Sequence, residues 1–417
     1  MVPKLGNVWD VSTMSGYKTC LNCFKELNLN GRKFPFNSCD QIMKIFQTTL
    51  LLTFSLMLFA AQGNAQVRST EAQLAQVDTS DAFKIIAYYT GDKNQIDAFN
   101  VQQLDQIIVS FLHLSGNRLQ VPNEIQDETI QKLVGLKKDN PQLKILISLG
   151  GWGGCETCSE VFSTERNCKA FSKSVLKMLK IYRADGIDLD WEYPAIEGFP
   201  NHAFKPEDKQ NFTTLVKTLR STLGEEYTIS FAAGAHRDFL SKSIEWKKVM
   251  PLVDNVNLMT YDLVNGYSKI TGHHTSLNKT NEQPLSTEYA VDYLDSLGIP
   301  MNKIVIGAAF YGRIWSGVDT TNNGLYQKGT YKTSANYKEF AGLFHNGFKQ
   351  HWDSIAEAPY AYNIKKREFM TYDNKRSVQL KTKYVKSKGL KGIMFWELMH
   401  DTKNGLLQTI HEGQKKR

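Results

Sequence analysis

The chain has 417 residues, with 50 Lys+Arg against 42 Asp+Glu for a formal charge of +8, and is 41% hydrophobic and 22% charged. That composition belongs to a globular protein with a sizeable core and excludes disordered, collagen-like and polytopic membrane classes. The excess of basic residues is mild and is not interleaved with aromatics, so nucleic acid is not an indicated partner.

The first 65 residues read differently from the rest. Met43-Lys44 is followed by an apolar run over 50–61 and by Gly63-Asn64-Ala65. One cation, a short apolar stretch and a small-x-Ala ending are the parts of a secretory leader over 43–65. The run is too short to span a bilayer, which takes about 20 residues. Residues 1–42 are expected to be an upstream extension foreign to the mature protein. Their Cys20, Cys23 and Cys39, with no histidine, make a poor four-ligand zinc site. Residues 66–80 read as a linker. Export implies an oxidising compartment, so one disulfide is expected among Cys155, Cys158 and Cys168, leaving one thiol.

Beyond residue 80, short β-branched and aromatic runs fall at 83–89, 106–112, 143–149, 186–191, 227–232, 256–259, 304–309 and 390–396. Runs of this kind are what buried parallel strands look like. Helical spacing lies between them, as in Phe171, Val175, Met178 and Leu179, or Phe212, Leu215, Val216, Leu219 and Leu223. Eight strands alternating with helices predict a (β/α)8 TIM barrel over 81–313 and 373–413. An open doubly wound sheet is the alternative, but Tyr88-Tyr89-Thr90-Gly91 is not its Gly-rich phosphate turn. The stretch 314–372 is too long for a structureless loop and is read as a small α+β insertion subdomain.

The chemistry concentrates in Asp185-Gly186-Ile187-Asp188-Leu189-Asp190-Trp191-Glu192. Side chains alternate along a strand, so Ile187, Leu189 and Trp191 face the helices while Asp188, Asp190 and Glu192 face the barrel axis. Three neighbouring carboxylates inside a core repel one another and lose hydration, which no stability argument justifies. Glu192 falls at the strand's carboxyl end, where barrel active sites are built. A calcium loop would need oxygen ligands and a Gly turn where Leu189 and Trp191 stand.

At these residues the sequence resembles glycoside hydrolase family 18, the chitinases and their relatives. Asp185, Asp188, Asp190 and Glu192 match the family's Asp-x-x-Asp-x-Asp-x-Glu motif. Ser148-Leu149-Gly150-Gly151 matches its Ser-x-Gly-Gly, Met259-Thr260-Tyr261-Asp262 its Met-x-Tyr-Asp, and Phe310-Tyr311-Gly312-Arg313 the end of its seventh strand. The resemblance implies that Glu192 protonates the glycosidic oxygen and that Asp190 orients the substrate's 2-acetamido group. It further implies that Asp188 shares a proton with Asp190, that Tyr261 hydrogen-bonds the acetamido group, and that Asp262 holds the distorted sugar. Trp396 takes the place of the tryptophan floor. Asp185, Met259, Ser148 and Gly151 join the substrate-binding set with their motifs, and 314–372 resembles the insertion domain of the cleft-forming chitinases.

Other residues leave two readings open. Tyr88, Phe111 and Arg313 line the cleft or pack the barrel; Trp152 and Trp315 are sugar platforms or core. His273-His274 reads as cleft lining or a solvated loop rather than a zinc site. The expected function is an exported chitinase cleaving β-1,4 bonds of chitin or chitooligosaccharides with retention, as a monomer without metal or cofactor. The alternatives are an endo-β-N-acetylglucosaminidase acting on N-glycans and a lectin-like binder without catalysis; the presence of Glu192 argues against the last.

Overall fold

The computed structural model describes residues 83–415 and, separately, the backbone of a hairpin in which Glu26–Leu29 pairs antiparallel with Arg32–Pro35. The leader and linker read over 43–80 lie outside the described residues. Eight parallel strands form the main unit: β1 (Lys84–Tyr89), β2 (Gln106–Ser115), β3 (Lys144–Gly150), β4 (Gly186–Asp190), β5 (Thr228–Gly234), β6 (Asn255–Met259), β7 (Ile304–Ala309) and β8 (Gly392–Trp396). Each pairs with the next, and β8 and β1 close the ring. This is a (β/α)8 barrel.

Among the described residues six helices of ten residues or more wrap it: α1 (Glu124–Gly135), α2 (Glu165–Tyr182), α3 (Asp208–Leu223), α4 (Thr287–Ser296), α5 (Lys375–Ser387) and α6 (Leu406–Lys415). Two connections depart from strict alternation. The β1–β2 link holds only the 3-10 turns Gln95–Ala98 and Val101–Gln103, and the β5–β6 link holds only the short helical pieces Phe239–Ser243, Trp246–Val249 and Met250–Leu252. The spaced apolar residues of α3 (Phe212, Leu215, Val216, Leu219, Leu223) are all buried against the strands. Truncating such a phenylalanine typically costs about 3–5 kcal/mol, so this face anchors the helix. Among the described residues no helix is long and apolar enough to cross a membrane. Cys155 and Cys158 are disulfide-bonded, and Cys168 is a buried free thiol.

The inside of the barrel is divided. Ile86, Tyr88, Ile108, Leu146, Val305 and Met394 fill one side with apolar bulk. Asp188, Ser230, Asn255 and Asn257, all buried, make the other side polar.

At the amino-terminal mouth the chain repeats one device. Asp105, Asp185 and Asp254 each precede an even-numbered strand and accept the amide of an isoleucine on the odd-numbered neighbour: Ile85 (2.9 Å), Ile145 (2.8 Å) and Ile229 (2.8 Å). Their own amides return a bond to the same isoleucines' carbonyls at 3.0, 2.7 and 2.8 Å. Each carboxylate also takes a cation: Lys84 at 3.2 Å, Lys137 at 2.6 Å and Arg220 at 2.7 Å. The fourth such position, before β8, is Lys391, whose amide still donates to Ile304 O (2.8 Å).

Strand Tyr311–Ser316 begins one residue after β7 and belongs to a five-stranded antiparallel sheet with Thr330–Asn336, Lys349–Asp353, Ala358–Asn363 and Glu368–Tyr372. The sheet therefore takes in Tyr311–Arg313, read above as barrel. Trp315, read as a possible sugar platform, is fully buried in this sheet and donates Nε1–H to Ser268 O (3.0 Å); it is packing. Just after the sheet, buried Lys381 of α5 reaches Asp373 (2.6 Å) and Thr275 (2.5 Å), while Asp373 also accepts the Ala309 amide (2.9 Å). This pair ties α5 to the end of β7 and to the loop after β6.

Candidate active site

The alternation on β4 is realised. Ile187, Leu189 and Trp191 enter the layer under the helices, with Trp191 against Phe162 and Phe212. Asp188 lies inside the barrel and accepts four hydrogen bonds: Ser230 Oγ (2.6 Å) and Asn257 Nδ2 (3.2 Å) on Oδ1, Ser148 Oγ (2.9 Å) and the Tyr88 hydroxyl (3.2 Å) on Oδ2. Burial raises its pKa, and these donors pull it back by favouring the anion. Asp190 has no such support. Its Oδ1 lacks a partner among the described residues, and burial, then the charges of Glu192 and Asp188, push its pKa well up. A proton shared by the two aspartates is therefore favoured on Asp190, the one with fewer hydrogen bonds.

Glu192 follows at the rim. Burial lifts its carboxyl from 4.5 to about 7, a hydrogen bond from Tyr193 opposes the rise, and the charge of Asp262 adds to it. The result is a carboxylic acid that keeps its proton near neutral pH, as a general acid must.

Asp262 behaves in the opposite way. Its backbone is left-handed (φ 57°), which turns the carboxylate back toward the sheet that follows β7. There it accepts the Tyr311 hydroxyl (2.7 Å) and both Arg313 Nε and Nη2 (2.5 Å each), with His274 Nδ1 at 3.5 Å. Although burial raises it, the bonds from His274 and Arg313 win and hold it far below the usual carboxylate range. One wall thus carries a fixed anion and the other a protonated acid.

Asp190, Glu192 and Asp262 line one cleft of about 1010 Å³, with Tyr88, Phe111, Trp152, Met259, Tyr261, Arg313 and Trp396. The Trp396 ring is stacked by Phe111 (centroids 5.6 Å, 12° between planes) and flanked by Tyr88 (5.9 Å). Trp152 stands 48% exposed at the cleft. Tyr261 is placed by Gly307: a Cβ there would meet its ring at 2.7 Å.

Residues 84–401 match the family model described as Glycosyl hydrolases family 18. The chain belongs to this family. Chitinase A1 of Niallia circulans is 38% identical over 307 residues, which cover 67% of this chain and 43% of that protein. Chitinase 1 of Aphanocladium album is 30% identical over 303 residues, 68% of each. The chain thus spans less than half the length of the first of these relatives. Among solved structures, a family 18 N-acetylglucosaminidase from Paenibacillus barengoltzii superposes with a TM-score of 0.73 at 34% identity, covering 79% of this chain and 99% of that one. A chitinase from Bacillus thuringiensis superposes at 0.75 and 27% identity, over 80% and 70%.

Within this family 18 barrel, three residues assigned to substrate lie elsewhere. Asp185 sits at the opposite mouth as one of three equivalent strand-capping aspartates, paired with Lys137. Ser148 lies beneath the cleft and serves Asp188. Gly151 (φ 80°) lies under Phe111: a Cβ would approach that ring at 2.3 Å, so its absence lets Phe111 reach Trp396. The two histidines read as cleft lining or solvated loop are both fully buried and turn apart, His273 to Asp353 (3.0 Å) and His274 to Asp262. Sequence reasoning also passed over Ser230, Asn257 and Tyr193, and gave Tyr311 no role of its own. Ser230 and Asn257 had a usable signal: each is a polar residue at an inward-facing position of a buried strand.

Proposed function

We propose that this glycoside hydrolase cleaves β-1,4 bonds between N-acetylglucosamine units of chitin or chitooligosaccharides with retention, using the substrate's own acetamido oxygen as nucleophile. The observation that carries the reading is Glu192, its carboxyl raised by burial to about 7, sharing one cleft with Asp190, whose Oδ1 is unpartnered among the described residues. Glu192 gives its proton to the leaving oxygen as the C–O bond breaks. The acetamido oxygen closes on the anomeric carbon, and the cationic ring that results is stabilised electrostatically by Asp190. Water deprotonated by Glu192 then reopens the ring with the β configuration. Family 18 is a recognised exception to the two-carboxylate scheme in which the second carboxylate attacks directly. Tyr261, Asp262 and Trp396 seat the reacting sugar.

The test is a product profile on chitohexaose beside an N-glycoprotein, with NMR of the first products. Shorter chitooligosaccharides appearing first as β-anomers are expected. An initial α-anomer, or a sugar ester trapped on any carboxylate, rules the mechanism out. A second reading, an endo-β-N-acetylglucosaminidase, draws on the likeness to the Paenibacillus N-acetylglucosaminidase. Release of glycan from the glycoprotein with chitohexaose untouched would establish it instead.

We also infer export. The Cys155–Cys158 disulfide suits an oxidising compartment, and residues 43–65 carry the leader pattern. N-terminal sequencing of secreted protein should begin near Gln66; recovery of residues 1–42 would refute it.

A further inference from the structure

The amino-terminal mouth of the barrel, at the end away from the cleft, carries more positive charge than its architecture needs. Lys84, Lys144 and Lys303 stand in corresponding places, each just before the isoleucine of β1, β3 or β7, and Lys391 replaces the aspartate of the fourth repeat. Alternation puts Lys144 on the face of Leu146 and Ser148, so it opens onto the barrel interior, while Lys84, on the face of Ile86 and Tyr88, turns its ammonium to Asp105 at the rim.

The three aspartates at this end are already taken, by Lys84, Lys137 and Arg220. Lys144, Lys303 and Lys391 make no ion pair among the described residues. Their ammonium groups rest on neutral oxygens: Lys144 on Thr228 Oγ1 (3.2 Å), Lys391 on Asp254 O (2.9 Å), and Lys303 on Met250 O and Val253 O (2.8 Å each). An ammonium has three donors, so each keeps at least one unspent. Burial depresses the Lys391 pKa, Asp254 opposes this, and the charges of Lys144, Lys303 and Lys84 deepen it, so Lys391 feels all three of these cations.

A second observation points the same way. Gln106, the first residue of β2, is 6% exposed and in register with Lys144, and its Nε2 has no acceptor among the described residues. A buried amide donor left unmade costs about 1–3 kcal/mol. Spare donors around unneutralised ammonium groups want a compact anion with several acceptor oxygens.

We propose that this mouth binds one phosphate group, held by Lys144, Lys391 and the Gln106 amide, with Lys303 and Lys84 completing the positive ring. Bound there, the anion joins the ends of β1, β2, β3 and β8 and stabilises the barrel without touching the cleft.

The full chain is titrated calorimetrically with inorganic phosphate and with glycerol 3-phosphate, against chloride of matched ionic strength, with and without saturating chitooligosaccharide. One saturable site, indifferent to the sugar, is expected; binding of the ester alone would identify an organic phosphate as the occupant. Lys144→Met and Lys391→Met should each weaken binding roughly tenfold, the worth of one charge-assisted hydrogen bond, and leave hydrolysis unchanged. Gln106→Leu keeps every charge and serves if a lysine variant fails to fold; it too should bind more weakly. No saturable binding of either phosphate, or affinity unaltered in the variants that fold, would overturn the site.

Discussion

Replacing Glu192 by Gln separates catalysis from stability in one substitution. Gln keeps the shape and cannot transfer the proton, so turnover should fall by ~10²–10⁴ while chitooligosaccharide still binds. The same change removes a cost. A group whose folded pKa is raised stabilises the fold below its unfolded value and loses that contribution as pH rises through the folded one. For Glu192 the window runs from 4.5 to about 7. At 1.36 kcal/mol per pKa unit the wild type should lose about 3 kcal/mol across it, an upper figure because the side chain is only partly screened from water. The variant escapes this loss, and Asp190, relieved of a neighbouring charge, relaxes with it. For a unit of this size that is roughly 4 °C in Tm. Thermal melts of both proteins at pH 5 and pH 8, with initial rates on a chitooligosaccharide, make the assay. The two melts should nearly coincide at pH 5 and separate at pH 8, with the variant higher. Parallel melting at both pH values, or more than a tenth of wild-type activity in the variant, would refute the argument.

Asp185→Ala should leave kcat near wild type and lower stability by about 1–3 kcal/mol in urea denaturation, because it orphans the Ile145 amide and Lys137. A selective loss of kcat would return this residue to the active site. Lys381→Met should cost about 3–5 kcal/mol by the same measurement, since it strands the Asp373 carboxylate in the interior; a neutral result would show that the pair does not hold α5 to the barrel. Cello-oligosaccharides, which carry a 2-hydroxyl in place of the acetamido group, should compete for the cleft and remain uncleaved over long incubations; any glucose oligomer released contradicts the acetamido nucleophile.

What was legible in the sequence was whatever depends on local backbone geometry. A period of two along one strand is enough to place Asp188, Asp190 and Glu192 on the barrel side and Ile187, Leu189 and Trp191 under the helices, whatever the rest of the chain does. The eight apolar runs and the spacing on α3 likewise announced a barrel, because burial on both faces of a parallel sheet leaves little room for polar residues. Partnership was not legible. Asp262 and Arg313 are 51 residues apart, Asp188 meets Asn257 across 69, and both pairings are decided by strand register and by the sheet that follows β7. The same holds for the residues that changed role. Asp185 stands in the most specific motif of the chain, yet it is the register of β3 against β4 that hands its carboxylate to Ile145 instead of to a sugar. His273 and His274 are adjacent in sequence and part company because two different layers pack against their loop. A side chain's direction is a property of its own residue and its neighbours; its partner is a property of the whole fold.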